Sequence, residues 1–206
     1  MMLKDVPSPI DLRRMPDALA WTHSAMTKRP GRVQFFECFL AELQALPVRP
    51  KRILELGSGP GFLAEHILSR WVESPIEYVA LDFSAAMHKL AAERLTGLGS
   101  VVFVERNFKD SSWWLDLGHF DAVLTIQAVH ELRHKRYASS LHAQVRRVLT
   151  PNAPYLVCDH HAGEGGMKNT ELYLSLSEHE SALLSAGFIE VRQVRAADGM
   201  VLNSAT

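Results

Sequence analysis

The sequence predicts an α/β fold built around a doubly wound sheet. The first observation is that short apolar segments alternate with helical patterns from residue 51 to residue 187. The second is a run of three glycines at alternate positions, Gly57, Gly59 and Gly61, directly after the first apolar segment. The third is the dipeptide Asp198-Gly199 between two segments that alternate with period two, which is typical of a terminal β-hairpin.

The elements follow in order along the chain. Residues 1–16 are expected to be irregular, and Asp17 to Leu46 to be helical with a break at Pro30-Gly31. Strands are predicted at 51–56, 76–82, 101–105, 120–126 and 155–159, with the hairpin strands at 188–194 and 200–203. Helices are predicted at 61–72, 84–97, 134–149 and 177–187, with a short helical piece at Trp113-Trp114. Ser84 is the expected N-cap of the second of these helices, and Ser177 and Glu180 the expected capping box of the last.

Composition excludes several classes of function. With 47% hydrophobic residues and a formal net charge of −1, the chain has enough apolar residues for a core but no basic excess for a nucleic acid. Its two cysteines lie in apolar segments far apart in sequence, which indicates free thiols. No apolar run approaches a membrane span and no signal core stands at the start. We therefore expect a cytoplasmic protein that needs neither membrane nor nucleic acid, and the oligomeric state stays open.

The glycine segment predicts a ligand site. The apolar run that contains Glu55 passes directly into Gly57-Ser58-Gly59-Pro60-Gly61. Glycines remove Cβ atoms where a ligand must lie against the backbone, and the N–H groups of the helix that follows point into the same space. Pro60 is expected in the first helical turn. Asp82 closes the second strand, 21 residues after Gly61, where a carboxylate can accept hydrogen bonds from ribose hydroxyls.

The spacing of the glycines separates two kinds of ligand. A dinucleotide site has G-x-G-x-x-G, whereas this chain has G-x-G-x-G preceded by Glu55. The segment Glu-Leu-Gly-Ser-Gly-Pro-Gly resembles motif I of the class I S-adenosylmethionine-dependent methyltransferases. The resemblance covers residues 51–206 and implies a Rossmann-like, seven-stranded mixed sheet whose last strand is antiparallel. It implies a methyltransferase domain at residues 47–206, and we expect residues 1–46 to form a helical cap or lid.

The resemblance also implies roles for individual residues toward S-adenosylmethionine and its product S-adenosylhomocysteine. Glu55 would hold the cationic amino end of the methionine moiety, and Asp82 the ribose. Phe83 and Met87 would enclose the adenine, although Met87 is equally explained as core. Asn107 stands where many relatives have an acidic residue that reads the adenine amino group, and Phe108 would stack on the ring. The residues of the predicted cofactor site are Glu55, Gly57, Ser58, Gly59, Gly61, Asp82, Phe83, Met87, Asn107, Phe108 and Gln127.

Candidate catalytic groups follow strands four and five. Methyl transfer needs a base only where the nucleophile carries a proton, and His130, Asp159, His160 and His161 stand where a base would lie. We take His130 and His160 as the candidates. His130 to His134 also spells H-E-x-x-H, but the segment starts at a strand end, so we expect no metal. Trp21, His23 and Tyr173 are candidates for the substrate entrance.

The sequence thus predicts a methyltransferase that acts on a small molecule. Three alternative hypotheses stay open. In the first, the acceptor is a protein or RNA group. In the second, the chain binds the cofactor without turnover, and in the third it is an NAD-dependent oxidoreductase.

Overall fold

A computed structural model of the protein describes residues 5–71 and 74–206, which form a mixed sheet with helices on both faces. The strand order is β3-β2-β1-β4-β5-β7-β6, and β7 runs antiparallel to both of its neighbours while the other strand pairs are parallel. The predicted α/β fold, with a seven-stranded mixed sheet and a C-terminal antiparallel hairpin, is confirmed. The strands are β1 Arg52–Leu56, β2 Glu77–Asp82, β3 Ser100–Glu105, β4 Ala122–Ile126, β5 Tyr155–His160, β6 Val191–Ala197 and β7 Met200–Ala205.

Both faces of the sheet are buried because alternate strand residues point to opposite sides. One face packs against the last two α-helices through residues such as Leu54, Leu141 and Leu183. The other packs against the second, third and fourth helices through residues such as Ile53 and Phe39. The helices are α1 Met15–Lys28, α2 Arg32–Gln44, α3 Phe62–Leu68, α4 Ala85–Arg94, α5 Ala138–Arg146 and α6 Leu176–Ser185.

The strand order reverses between β1 and β4, and this point positions the site. From β1 the chain adds β2 and β3 on one side, and it then returns to add β4 on the other side of β1. The connections after β1 and β4 therefore diverge and leave a crevice at the carboxyl ends of these strands, where open α/β sheets bind their ligands. The glycine segment follows β1, and Gln127 follows β4.

The terminal hairpin has the predicted turn. Asp198 and Gly199 have φ values of +53° and +73°, as a two-residue type I′ connection requires. The register shifts between Gln193 and Arg195, so β6 contains an irregularity opposite the regular β7.

Several predicted boundaries are wrong. Pro60 does not lie in a helical turn, because Gly61 is the N-cap of α3 with φ +80° and the helix begins at Phe62. The helix predicted at 61–72 ends at Leu68; residues 72 and 73, like 1–4, lie outside the described residues. The Trp113-Trp114 segment forms turns instead of a helix. The helix predicted at 134–149 is divided into a 3₁₀ turn at Lys135–Tyr137 and the shorter α5.

The capping box of α6 is also displaced from its predicted position. The hydroxyl of Ser175 accepts a hydrogen bond from Glu178 N–H, and the Glu178 carboxylate accepts one from Ser175 N–H at 2.8 Å. The chain carries S-x-x-E in two frames, and the frame two residues before the predicted Ser177 and Glu180 is the one used. In contrast, Ser84 is the N-cap of α4 as predicted and accepts from Met87 N–H at 3.1 Å.

The described N-terminal segment lies across the crevice. Arg133 donates from Nε to the Val6 carbonyl at 2.8 Å and from Nη2 to the Pro7 carbonyl at 2.7 Å. Further along, Ser84 donates to the Leu12 carbonyl at 2.6 Å. These bonds attach residues 6–12 to the connections that follow β2 and β4. Within the described part of the chain, no helix combines the length and apolar character needed to cross a membrane.

Candidate active site

A cavity lies in the crevice at the carboxyl ends of β1, β2 and β4. We call it the glycine cavity. Nine of the eleven residues predicted to bind the cofactor line it, and these are Glu55, Gly57, Ser58, Gly59, Asp82, Phe83, Met87, Phe108 and Gln127. The two exceptions are Gly61 and Asn107. Sequence motifs that are distant in the chain therefore meet at one cavity, in the place where open α/β sheets bind their ligands.

Glycine is required at positions 57, 59 and 61 for different structural reasons. All have positive φ, and Gly57 N–H and Ser58 N–H both donate to the Leu81 carbonyl, which fixes the bend over the end of β2. A Cβ at Gly57 would lie 2.5 Å from the Cβ of Ala128, and one at Gly61 would lie 3.1 Å from Leu95, the C-cap of α4. Only at Gly59 would a Cβ meet no described atom within 4 Å. Gly61 thus allows helix packing, whereas Gly59 leaves the cavity floor bare.

Asp82 supports the glycine bend and faces the cavity at the same time. Its Oδ2 accepts from Gly59 N–H at 2.8 Å, and its Oδ1 accepts from Ser84 N–H at 2.9 Å. Desolvation by burial raises its pKa to about 6, although the backbone hydrogen bonds act in the opposite direction. Each carboxylate oxygen can accept a further hydrogen bond, so the group is able to hold hydroxyl donors of a ligand.

Glu55 is a buried carboxyl with a single described donor. Its residue is 1% exposed, and Tyr78 donates to its Oε2 at 2.7 Å. Burial raises the pKa of Glu55 to about 8, so the group is neutral at pH 7 in the ligand-free protein. A cation placed beside it would favour the ionised form, because an opposite charge offsets the cost of burial. Glu55 is therefore suited to an ammonium group.

The remaining lining fits S-adenosylmethionine. Two polar atoms in the cavity wall, Ser58 Oγ and Gln127 Oε1, are buried without a hydrogen-bond partner among the described residues. Phe83, Met87 and Phe108 supply apolar surface for a flat ring. The lining therefore offers a group for each part of this molecule: apolar surface for adenine, Asp82 for ribose and Glu55 for the amino end.

Asn107 lies outside the glycine cavity. Its amide oxygen accepts from Lys109 N–H at 3.0 Å, and its residue lines a neighbouring groove beside Phe83 and Arg133. The amide thus caps the turn that follows β3. This placement does not support the predicted contact of Asn107 with the adenine amino group.

A second cavity, of about 420 Å³, adjoins the first. We call it the outer cavity. The two share Leu12, Trp21, Arg32, Gln127 and Glu131, so a ligand in one reaches the wall of the other. The further lining residues of the outer cavity are Ser24, Ala25, Lys28, Arg29, His130 and His160.

His130 is held by Asp159, the residue before His160 in β5. Its Nδ1 donates to Asp159 Oδ1 at 2.6 Å, and its backbone N–H donates to Oδ2 at 2.8 Å. Desolvation alone would lower the pKa of His130, but the charges and hydrogen bonds of Asp159 and Glu131 together outweigh it and raise this pKa above neutral pH. Burial would raise the pKa of Asp159, but the attraction of His130 and its hydrogen bond lower it. His130 is therefore a cation at pH 7 in the ligand-free protein.

His160 is in the opposite state. Desolvation lowers the pKa of His160 to about 4, because the cost of burial is larger than the attraction of Asp159, which acts to raise this pKa. The side-chain amide of Gln127 lies 2.8 Å from its Nε2 and donates to the neutral ring. Tyr173 packs near both imidazoles, with centroid distances of 5.5 Å to His130 and 5.7 Å to His160.

The other sequence candidates are placed apart from these rings. His23 is exposed and lines neither cavity, and His161 Nδ1 donates to the Ala162 carbonyl at 3.2 Å. In the H-E-x-x-H segment, His134 Nε2 contacts Glu171 at 3.1 Å while His130 contacts Asp159. Among the described residues, no group of three or more His, Cys, Asp or Glu side chains is placed to hold a metal ion.

Sequence reasoning missed Arg32 and Leu12 as lining residues. Arg32 has a recognisable signal, since it stands three, four and seven residues before Phe35, Phe36 and Phe39 and so shares their buried helix face. A cation on an apolar face is a candidate functional residue. Leu12 has no such signal, because tertiary hydrogen bonds from Ser84 and Arg133 bring the N-terminal segment over the cavity.

Comparison with known proteins agrees with the site. Residues 53–152 match the family model described as "Methyltransferase domain". A curated relative, the non-reducing polyketide synthase nvfA of Aspergillus novofumigatus, is 25% identical over 107 residues, which cover 50% of this chain and 5% of that protein. The chain therefore corresponds to a small part of this relative.

Solved structures share the fold. The match to the DhpI–SAH complex has a TM-score of 0.70 at 20% identity, and it covers 94% of this chain and 95% of the DhpI chain. Human N-acetylserotonin methyltransferase, in complex with SAM, has a TM-score of 0.71 at 16% identity, over 94% of this chain and 56% of that one. The CurJ carbon methyltransferase has a TM-score of 0.65 at 17% identity, over 79% of this chain and 50% of that one.

The fold and the crevice at the strand reversal define a class I α/β methyltransferase architecture. Residues 53–152 match the methyltransferase domain model, and the chain as a whole has the class I fold of the S-adenosylmethionine-dependent methyltransferases. The prediction of this family from the glycine motif is confirmed.

Glu55→Gln is expected to stabilise the ligand-free protein by about 1–3 kcal/mol at pH 7, because folding keeps a carboxyl neutral that the unfolded chain would ionise. The pKa of Glu55 is about 8 in the folded protein and 4.5 in the unfolded chain. The carboxyl therefore does not reduce the free energy of unfolding below pH 4.5, and it reduces it most above pH 8. The gain should therefore grow over this range, and urea unfolding at pH 5 and pH 8 measures it. No gain at pH 8 would contradict the burial argument.

Proposed function

We propose that the protein transfers the methyl group of S-adenosylmethionine to a small-molecule acceptor bound in the outer cavity. The observation that carries this proposal is the junction of the two cavities at Gln127, Glu131 and Arg32. When bound, S-adenosylmethionine supplies the methyl group, which leaves a neutral thioether by in-line displacement. Because no departing anion needs stabilising, the lining residues contribute mainly by positioning the two reactants.

The roles proposed for the lining follow from its chemistry. Glu55 ionises against the amino end of the methionine moiety, and Asp82 accepts from the ribose hydroxyls. Phe83, Met87 and Phe108 bind the adenine between apolar surfaces. Gly57, Ser58 and Gly59 form the floor, and Gln127 contacts the methionine end, with Gly61 supporting the floor through α4.

The protonation states give the two histidines different roles. His160 is neutral at pH 7, and its Nε2 accepts a proton from the nucleophile once the Gln127 amide turns its N–H away from the ring. His130 is already protonated against Asp159, so we assign it to orienting the acceptor and not to general base catalysis. Of residues 1–46, the part described from residue 5 onward acts as a cap, since Leu12, Trp21 and Arg32 line both cavities from it.

A small acceptor is favoured over a macromolecular one by the size of the outer cavity, whose volume of about 420 Å³ falls within the usual range of about 300–1,000 Å³ for small-molecule sites. The formal net charge of −1 offers no general attraction to nucleic acid. We also propose a cytoplasmic location, which the two free thiols, Cys38 and Cys158, support.

The test is transfer of labelled methyl groups. Purified protein is incubated with methyl-labelled S-adenosylmethionine and with separate metabolite, protein and RNA fractions, and S-adenosylhomocysteine is quantified by mass spectrometry. We expect label and S-adenosylhomocysteine to appear with the metabolite fraction and to be lost in Asp82→Ala. Label in protein or RNA would favour a macromolecular acceptor. Binding of the cofactor without transfer to any fraction would favour a non-catalytic module.

A further inference from the structure

The wall of the outer cavity carries an excess of positive charge. Lys28, Arg29 and Arg32 line it from the end of α1 and the start of α2. None of the three forms an ion pair with a carboxylate of residues 5–71 or 74–206. The chain as a whole has a formal net charge of −1, so this cluster is a local feature and not part of a generally basic surface.

Arg32 is the most informative member of the cluster. It is 5% exposed, and its Nε is buried without a hydrogen-bond partner among the described residues. Its guanidinium lies over the ring of Trp21, 5.4 Å from the centroid. Desolvation lowers its pKa to about 10, so it is still a cation at pH 7. Buried cations in proteins are normally paired with an anion, and none is described here.

The other charged groups of the cavity already balance one another. Glu131 contacts Arg133 Nη1 at 3.3 Å and His130 Nε2 at 3.4 Å. His130 is further paired with Asp159, and His160 is neutral at pH 7. The positive charge of Lys28, Arg29 and Arg32 is therefore not compensated within the described protein.

We propose that the outer cavity binds an acceptor that carries a carboxylate or phosphate group, held by Arg29 and Arg32. A planar guanidinium presents two parallel N–H donors to such a group, which gives orientation as well as affinity. Lys28 is exposed and adds charge at the rim, while Trp21 and Leu12 provide apolar surface for the body of the acceptor. This inference rests on the proposed function, because it assigns the acceptor class of the same site.

One further anion must be distinguished from the acceptor. The methionine moiety of the cofactor also ends in a carboxylate, and Arg32 borders both cavities. Lys28 and Arg29 line the outer cavity and not the glycine cavity. Binding of an acceptor anion should therefore depend on Arg29 as well as Arg32, whereas binding of the cofactor carboxylate should depend on Arg32 alone.

The test titrates protein saturated with S-adenosylhomocysteine against benzoate, benzamide and inorganic phosphate by calorimetry. Benzoate and benzamide have nearly the same shape, so a difference between them reports the charge. We expect benzoate or phosphate to bind about tenfold or more tightly than benzamide, with the preference lost in Arg29→Gln and in Arg32→Met. Lys89→Gln, which removes an exposed cation of α4 outside both cavities, is the matched control and should retain the preference.

Equal affinity for the three probes would overturn the inference, as would an equal loss in Lys89→Gln. If Arg32→Met weakens S-adenosylhomocysteine but not 5′-methylthioadenosine, which lacks the carboxylate, Arg32 belongs to the cofactor and its assignment to the acceptor is overturned. Circular dichroism checks that each variant folds. Because Arg29 is only half-buried, Arg29→Gln should disturb folding less than Arg32→Met. Absence of S-adenosylhomocysteine binding in the wild type would contradict the proposed function itself, which separates the two failures.

Discussion

Replacement of Asp82 with alanine is expected to reduce the affinity for S-adenosylhomocysteine by about tenfold or more. The substitution removes a carboxylate that faces the glycine cavity, and hydrogen bonds to charged groups contribute about 1.5–3 kcal/mol. It also removes the acceptor of Gly59 N–H and Ser84 N–H. We therefore expect a loss of about 1–3 kcal/mol in the free energy of unfolding, in addition to the loss of affinity. Calorimetric titration and urea unfolding measure the two effects separately.

Ser84→Ala is the matched control for this experiment. It removes the hydroxyl that caps α4 and donates to the Leu12 carbonyl, at a cost of about 1 kcal/mol in the free energy of unfolding. Ser84 does not line the glycine cavity, and Arg133 still attaches the N-terminal segment through Val6 and Pro7, so the affinity for S-adenosylhomocysteine should stay close to that of the wild type. Equal losses of affinity in the two variants would show that Asp82 acts only through folding. Unchanged affinity in Asp82→Ala would contradict the ribose assignment.

Alanine at Gly57 and at Gly59 is expected to have opposite main effects. At Gly57 the new Cβ would lie 2.5 Å from the Cβ of Ala128, and φ is +67°. Overpacking and the left-handed backbone together should reduce the free energy of unfolding by about 2–4 kcal/mol. At Gly59 the strain at φ +52° remains, but no described atom lies within 4 Å, so the loss should be about 1–2 kcal/mol.

For ligand affinity, we expect the larger effect at Gly59 and not at Gly57. The Cβ at Gly59 would stand on the bare floor of the glycine cavity, where a ligand must lie against the backbone. We expect Gly59→Ala to weaken S-adenosylhomocysteine by about tenfold while the protein remains folded. A Gly59→Ala variant with unchanged affinity, or one less stable than Gly57→Ala, would contradict the assignment of the floor to Gly59.

The sequence predicts this site well where the signal is local. A glycine bend, the strand-terminal Asp82 and the N-cap Ser84 are each fixed by backbone requirements that a few neighbouring residues reveal. The reversal of strand order then brings them together without further information. Nine of the predicted cofactor residues share one cavity for this reason.

The sequence predicts less where tertiary contacts decide. Gly61 is required by the close approach of Ala91 in α4 and of Leu95 at its C-cap, a contact that the motif alone does not reveal. Asn107 uses its amide in a local turn, and this competes with any role toward a ligand. The protonation states of His130 and His160 depend on burial and on Asp159, which residue identities alone do not specify.

The central claim is that S-adenosylmethionine binds across Gly59 between Glu55 and Asp82, and calorimetric titration with S-adenosylhomocysteine and with NAD tests it most directly. We expect saturable one-to-one binding of S-adenosylhomocysteine with a dissociation constant in the micromolar range, on the order of −8 kcal/mol, and no binding of NAD. Absence of heat with S-adenosylhomocysteine up to millimolar concentrations, or binding of NAD in its place, would contradict the account.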